Sequence, residues 1–155
     1  MVKIRQFKKA DTKDVARLIS HTYAKFNKTE GSKKAIQDYI DRVDPKKNDL
    51  KNLEENFLNS AFIYVAVYKN KIVGMVRGRK NRGTNLFVDG TYHKMGIGRQ
   101  LMQKFETSVK KIGSKEIRIR ASLYAVPFYT KVGYKKTTGV RTFHGLKIQP
   151  MKKLI

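Results

Sequence analysis

The sequence predicts an α/β domain (α+β in its segregation) built on a mixed, mostly antiparallel sheet. Three observations carry that expectation. The 155 residues suit one domain spanning 1–155, with enough chain to bury a sizeable core. Forty per cent of them are hydrophobic, including eight Phe and eight Tyr, which a disordered basic tail would lack. Segments with the two-residue period of strands are mixed with segments of helical period, as a layered α/β fold requires. No repeat, low-complexity tract or Pro/Gly/Ser linker divides the chain.

Val2 to Phe7 alternates imperfectly, as a short first strand would. Asp11 then suits a helix N-cap, with Val15, Leu18, Ile19, Thr22 and Tyr23 at helical spacing behind it. Ser32 can cap a second helix carrying Ala35, Ile36, Tyr39, Ile40 and Val43, which Pro45 closes. A third helical stretch covers Leu50, Leu53, Phe57 and Leu58. From Phe62 to Tyr68 the chain is aromatic and β-branched, as a buried strand is, and Lys69-Asn70-Lys71 turns it into a partner, Ile72 to Arg77. A loop over Lys80 to Gly83 leads to a short strand, Asn85 to Val88. A helix follows from about Gly96 to Ile112, with Ile97, Leu101, Phe105, Val109 and Ile112 on one stripe. Glu116 to Ala121 reads as a strand and Pro127 to Val132 as a short helix. Two final strands are expected around Tyr134 to Val140 and Phe143 to Lys152.

Composition narrows the function. Thirty-five Lys plus Arg against twelve Asp plus Glu leave a formal charge of +23, which draws anions of many kinds: nucleic acid, phosphorylated cofactors, acidic surfaces or acidic proteins. The basic residues are mostly Lys and run from Lys3 to Lys153, whereas nucleic-acid readers gather them on one face and favour Arg. Cys is absent, which excludes disulfide scaffolds, thiolate zinc sites and a Cys nucleophile. No apolar run approaches the roughly 20 residues of a membrane span, and Met1 leads straight into a strand pattern. The expectation is a soluble cytoplasmic domain with no membrane partner.

One stretch carries chemistry. Val88-Asp89-Gly90-Thr91-Tyr92-His93-Lys94-Met95-Gly96-Ile97-Gly98-Arg99 reads as strand, tight glycine-containing loop and helix start. Such a loop aims unpaired backbone N–H groups at one point, where the helix dipole adds positive potential. Gly96 and Gly98 remove side chains, so a pyrophosphate can approach the backbone. The dinucleotide fingerprint is excluded, because the third glycine and the later acidic residue are missing. A Walker loop is excluded as well, since no Gly-Lys-Ser/Thr follows.

This stretch resembles the acyl-CoA loop of the GNAT superfamily of N-acetyltransferases, Gln/Arg-x-x-Gly-x-Gly/Ala after a strand. His93 stands where that family prefers Gln or Arg, and Gly90 where it often has Pro. Downstream, Ala121-Ser122-Leu123-Tyr124-Ala125-Val126-Pro127-Phe128-Tyr129-Thr130-Lys131-Val132-Gly133-Tyr134 is similar to the family segment Ala-x-x-Phe-Tyr-x-Lys-x-Gly-Phe/Tyr. The opening Ile4-Arg5-Gln6-Phe7 with Asp11 and Val15 resembles the common start, and Gly145 through Met151, Lys152 and Lys153 suit one branch's ending.

The resemblance implies a central sheet with helices on both faces and a splay between two parallel strands, here Leu86 to Asp89 and Ile117 to Ser122. It implies acetyl-CoA as co-substrate, no metal, and direct transfer of acetyl to an amine acceptor in a ternary complex, since no Cys can carry the acyl group. Phe87, Val88 and Ser122 would border the pantetheine, with a backbone N–H near Val88 holding the thioester carbonyl. His93, Lys94, Met95, Gly96, Ile97, Gly98 and Arg99 would form the pyrophosphate loop, with Lys94 and Arg99 either meeting phosphate or lying in water. Tyr129 matches the tyrosine that protonates the departing thiolate in many members; its other reading is a packed core ring. The general base stays open among Asp89, His93, His144, a water chain and an already neutral amine. Thr84 and Asn85 cannot serve, and His21 suits a surface.

Arg77 with Arg79, and Arg118 with Arg120, are each two residues apart and so share a face of their strand. If both pairs face the acceptor cleft, they select an anionic amine; otherwise they lie on a solvated face. A basic nucleic-acid-binding module, a non-catalytic CoA-binding domain of the same fold, and a transferase of longer acyl groups or to hydroxyls remain the alternatives.

Overall fold

The computed structural model describes residues 1–155 apart from the side chain of Thr84. In chain order the elements are β1 (Lys3–Gln6), α1 (Thr12–Phe26), α2 (Lys33–Val43), α3 (Leu50–Leu58), β2 (Phe62–Tyr68), β3 (Lys71–Arg79) and β4 (Arg82–Val88). They are followed by α4 (Ile97–Lys111), β5 (Glu116–Ser122), α5 (Val126–Lys131), β6 (Lys135–Lys136), β7 (Arg141–Phe143) and β8 (Leu146–Leu154). Short 3₁₀ turns at Lys9–Asp11, Gly90–Tyr92 and Leu123–Ala125 join some of them.

The strands form one eight-stranded sheet in the order β1-β2-β3-β4-β5-β8-β6, with β7 also paired to β8. Every pairing is antiparallel except β4 with β5, the single parallel pair. Helices cover both faces, as expected. One face packs Tyr64, Ala66 and Val76 with Ile117 and Ile119 against Leu101, Phe105 and Val109 of α4. The other packs Val65 and Met75 against Val15 and Ile19 of α1 and Phe57 of α3. Burying each of the Val, Leu, Ile, Met and Phe side chains contributes about 1.5–3 kcal/mol, so the alternation along β2 and β3 fixes the sheet between the two layers.

Local signals act as the residues dictate, with three differences. Ser32 Oγ accepts from the Ala35 N–H at 3.1 Å and starts α2. Asp11 stands at the start of α1, yet its carboxylate makes no cap bond to that helix. It accepts two hydrogen bonds from the Arg5 guanidinium, at 2.7 and 2.9 Å, and one from the Lys8 N–H at 2.8 Å. A nearby cation outcompetes the helix amides for the carboxylate. The expected loop over Lys80 to Gly83 is instead a tight turn, because β3 and β4 extend to pair Arg79 with Arg82. Of the expected strand over Tyr134 to Val140 only β6, Lys135–Lys136, forms, and the expected last strand from Phe143 is split, because a turn after Phe143 folds β7 (Arg141–Phe143) back onto β8, which starts at Leu146. No helix among the described residues is long and apolar enough to cross a membrane.

Candidate active site

β4 and β5 begin as neighbours and then part. Among the described pairs they meet at Arg82–Arg118 and Gly83–Ile119, and from Asn85 to Val88 β4 has no β5 partner. Beyond the fork β5 keeps only β8, with which it pairs along its whole length up to Ser122 with Ile148. On its other side β4 stays with β3: Met75 faces Phe87, and the Asp89 N–H donates to the Val73 carbonyl at 2.8 Å. Antiparallel alternation therefore turns the N–H and C=O of Leu86 and Val88 away from β3 and into the gap. An open strand edge inside a sheet is a ready set of donors and acceptors for an extended, amide-bearing ligand.

The loop after β4 presents a run of free backbone amides. None of the amides from Lys94 to Arg99 donates to a protein partner among the described residues; the first to do so is Gln100, to the Gly96 carbonyl at 3.1 Å. Gly96 caps α4 with φ +76°, a left-handed conformation that side chains disfavour, and nothing lies within 4 Å of where its Cβ would be. Lys94 takes φ +65° as well, and Lys94, Met95 and Arg99 are exposed. Gly98 has a different reason to be glycine: a Cβ there would lie 3.1 Å from the Phe128 ring, so it lets α5 close against α4. Ile97 is fully buried in the core and offers only its amide.

His93, expected as part of the pyrophosphate loop, instead turns its side chain back onto the strand it follows. Its Nε2 lies 2.7 Å from the Val88 carbonyl oxygen, its ring is stacked on Phe26, and its amide donates to the Gly90 carbonyl. Asp89 is also engaged, capping the turn through Thr91 N–H at 2.9 Å. His144 sits in the β7–β8 turn with φ +52° and lines a cavity of about 620 Å³ with Asp38 and Asp41 of α2. His21 is exposed on α1. Asn85 bonds Arg77 and the Tyr39 hydroxyl, and the Thr84 side chain lies outside the described residues.

Tyr129, on α5, packs its ring edge-on against Phe128 and Tyr134 and is buried, while its hydroxyl has no hydrogen-bond partner among the described residues. Burial pushes its phenol well above the ordinary tyrosine value. The group therefore stays protonated at every working pH and has its donor free.

The family described as acetyltransferase (GNAT) domain matches residues 27–155. The chain belongs to the GNAT acetyltransferases. A GCN5-related N-acetyltransferase from Rhodopseudomonas palustris superposes with a TM-score of 0.85 at 16% identity, over 99% of this chain and 95% of that one. The PaiA N-acetyltransferase from Thermoplasma acidophilum, in complex with coenzyme A, gives 0.76 at 20% identity over 100% and 99%. An aminoglycoside 6′-acetyltransferase type Ii gives 0.72 at 21% identity over 98% and 96%. At such identities the likeness is one of fold. No curated protein matches the chain.

This acetyltransferase places its paired arginines differently from the sequence expectation. Both pairs do point to the α1–α3 side of the sheet, opposite the face on which Ile117, Ile119 and Ala121 pack against α4. Arg77, however, is committed to the fold: its Nε donates to Asn85 at 2.6 Å, its NH1 donates to Asn56 at 2.8 Å, and it covers the Phe57 ring. Burial lowers its pKa, and no carboxylate pairs with it among the described residues. The arginines that gather with Arg118 and Arg120 are Arg82 and Arg141, which the sequence does not single out.

Glu30 is a second residue that sequence reasoning misses. It is buried between α1 and α2; its carboxylate accepts from the Tyr124 N–H at 2.8 Å and from Asn27, and its carbonyl accepts from Lys147 N–H. It ties the loop after α1 to the end of β5 and the start of β8, across 94 residues of sequence in the first case.

Proposed function

We propose that this acetyltransferase moves an acetyl group from acetyl-CoA to an amine by direct attack in a ternary complex. The observation that carries the reading is the run of partnerless amides from Lys94 to Arg99 leading to the open edge at Leu86 and Val88. The amides and the left-handed Gly96 suit a pyrophosphate, and the strand edge suits the amides of pantetheine. Phe87 spaces the two edge residues, and Ser122 borders the gap from β5.

The amine lone pair attacks the thioester carbonyl carbon, forming the C–N bond. Negative charge then develops on the carbonyl oxygen, where an inward N–H of Leu86 or Val88 can stabilise it. Collapse breaks the C–S bond, the nitrogen releases its proton to water, and the thiolate leaves. Tyr129 donates a hydrogen bond to that sulfur. A phenol is a weaker acid than a thiol of about 8.5 and burial raises it further, so Tyr129 steadies the thiolate and full proton transfer is left to solvent.

Thermal unfolding with acetyl-CoA and thiol release over an amine panel test this. A ligand at 100 times its Kd stabilises by about 2.7 kcal/mol, so the melting temperature should rise by several degrees. An unchanged melting temperature at millimolar acetyl-CoA would overturn donor binding.

A further inference from the structure

We infer that the acceptor is an acidic peptide whose amine reaches the gap while its carboxylates sit in an arginine pocket at the fork of β4 and β5. The inference rests on the acetyl-transfer reading and adds the acceptor's class to it. The pocket, about 280 Å³, is lined by Arg82, Arg118, Arg120 and Arg141 with Phe143 and Pro150 among its apolar walls. Four of the chain's ten arginines thus converge there, from β4, β5 and β7. The Lys-rich remainder of the surface is spread along the whole chain, so this concentration of guanidinium is local.

Their charge is largely uncompensated. Arg118 reaches Glu116 at 3.1 Å, an exposed pair that Lys152 shares at 4.0 Å. Arg141 donates to the Thr138 hydroxyl at 3.3 Å, and Arg120 lies over the Phe143 ring at 4.2 Å. For Arg82 and Arg120 the described residues supply no carboxylate within salt-bridge distance. Planar guanidinium groups held this way match carboxylates in a two-point fork, which lysines do not.

Position gives the length of the ligand. The pocket includes Ile119, which pairs with Gly83 where β4 and β5 are still together. Leu86 and Val88, the inward edge residues, lie three and five residues further along β4, about 10 and 17 Å at the strand rise. An amine at the open edge and carboxylates in the pocket are therefore separated by about three to five extended residues. A peptide that carries its acidic side chains some residues after its free amine spans that interval.

The test compares Ala-Gly-Gly-Glu-Glu, its Gln-Gln counterpart and its phosphoserine counterpart as acceptors, using wild type and the Arg82→Gln/Arg120→Gln variant. All four arginines are exposed, so the variant should fold, and Arg141→Gln serves as an independent single change. Wild type should use the Glu peptide about tenfold better in kcat/KM than the Gln peptide, mainly through KM. The double variant should lose that preference and keep its KM for acetyl-CoA. Equal use of both peptides, or a preference that survives in the variant, would overturn the proposal. A stronger preference for phosphoserine would assign the pocket to phosphate and overturn the carboxylate choice.

Calorimetry with the N-acetylated Glu peptide separates this inference from the transfer reading. Binding that is lost in the double variant supports the pocket even where no amine releases thiol; in that case acetyl transfer falls and the pocket stands. A single-stranded oligonucleotide that binds more tightly than the peptide, and is lost in the same variant, would make the pocket a nucleic-acid site and overturn the proposal.

Discussion

His93 turns its imidazole back onto the strand it follows, with Nε2 2.7 Å from the Val88 carbonyl oxygen. Phe26, at the end of α1, stacks on that imidazole and also on Tyr124, each at 4.9 Å between centroids. Three rings thus link the segments that follow β4 and β5. The Val88 carbonyl is one of the groups that alternation directs into the gap, so a pantetheine amide bound as proposed would compete with His93 for it. His93→Ala should lower the KM for acetyl-CoA by roughly two- to tenfold, the worth of one hydrogen bond. Steady-state kinetics check this; a raised KM would show that His93 helps to hold the donor instead.

Tyr129→Phe removes a hydroxyl that has no protein partner, so stability should barely change. Turnover should fall on the order of a hundredfold, the lower end of what losing one placed hydrogen-bond donor to developing negative charge costs. The KM for acetyl-CoA should stay within twofold or so, because the ring remains packed against Phe128 and Tyr134. Full activity would remove Tyr129 from the chemistry and leave it a core ring.

Gly96 and Gly98 should fail in different ways when changed to Ala. At Gly96 there is room, and the left-handed backbone costs about 1–2 kcal/mol. Its main effect should be a raised KM for acetyl-CoA as the cradle distorts. At Gly98 the added methyl meets Phe128, and overpacking costs about 1–3 kcal/mol. Here turnover should suffer too, since Phe128 carries Tyr129 beside it. Melting curves and donor KM for both variants separate the two mechanisms.

The pair of Arg5 and Asp11 fastens β1 to the start of α1. Burial by itself would raise the Asp11 pKa, but the Arg5 hydrogen bonds and the Lys8 amide outweigh it, and the carboxyl is held below its ordinary value. A depressed folded pKa means stability that is present above the unfolded value of about 3.9 and lost as pH falls through the folded pKa. Asp11→Asn should cost about 1–3 kcal/mol at neutral pH and flatten the acid side of the stability curve. Urea unfolding at a series of pH values checks both; an unchanged acid limb would refute the role.

Local chemistry was readable in the chain because its causes are local. Ser32 three residues before Ala35, the aromatic and β-branched run from Phe62 to Tyr68, and the apolar stripe of Leu101, Phe105 and Val109 each declare an element within one or two turns. Gly96 before a helical stripe also announces the loop that presents free amides. Gly98 was legible as a glycine but not in its reason, because Phe128 reaches it from 30 residues away. The last strands are not legible in the sequence because β6 and β7 are too short to show a period, and only pairing with β8 defines them.

The sequence by itself determined the layered α/β fold, the strand–loop–helix that can cradle an anion, and Tyr129 as the tyrosine of the family motif. The fold and the loop follow from periodicity, backbone conformation and residue type, which are properties of neighbours in the chain, whereas Tyr129 is singled out by the likeness of its segment to the family motif. The tertiary structure decided which edge of β4 is open, where the ring of His93 points, that Glu30 clamps three segments, and that Arg77 supports the fold. It also decided which arginines meet. Arg82, Arg118, Arg120 and Arg141 come together because β4, β5 and β7 are brought side by side through β8, and no spacing within a single strand records that pairing.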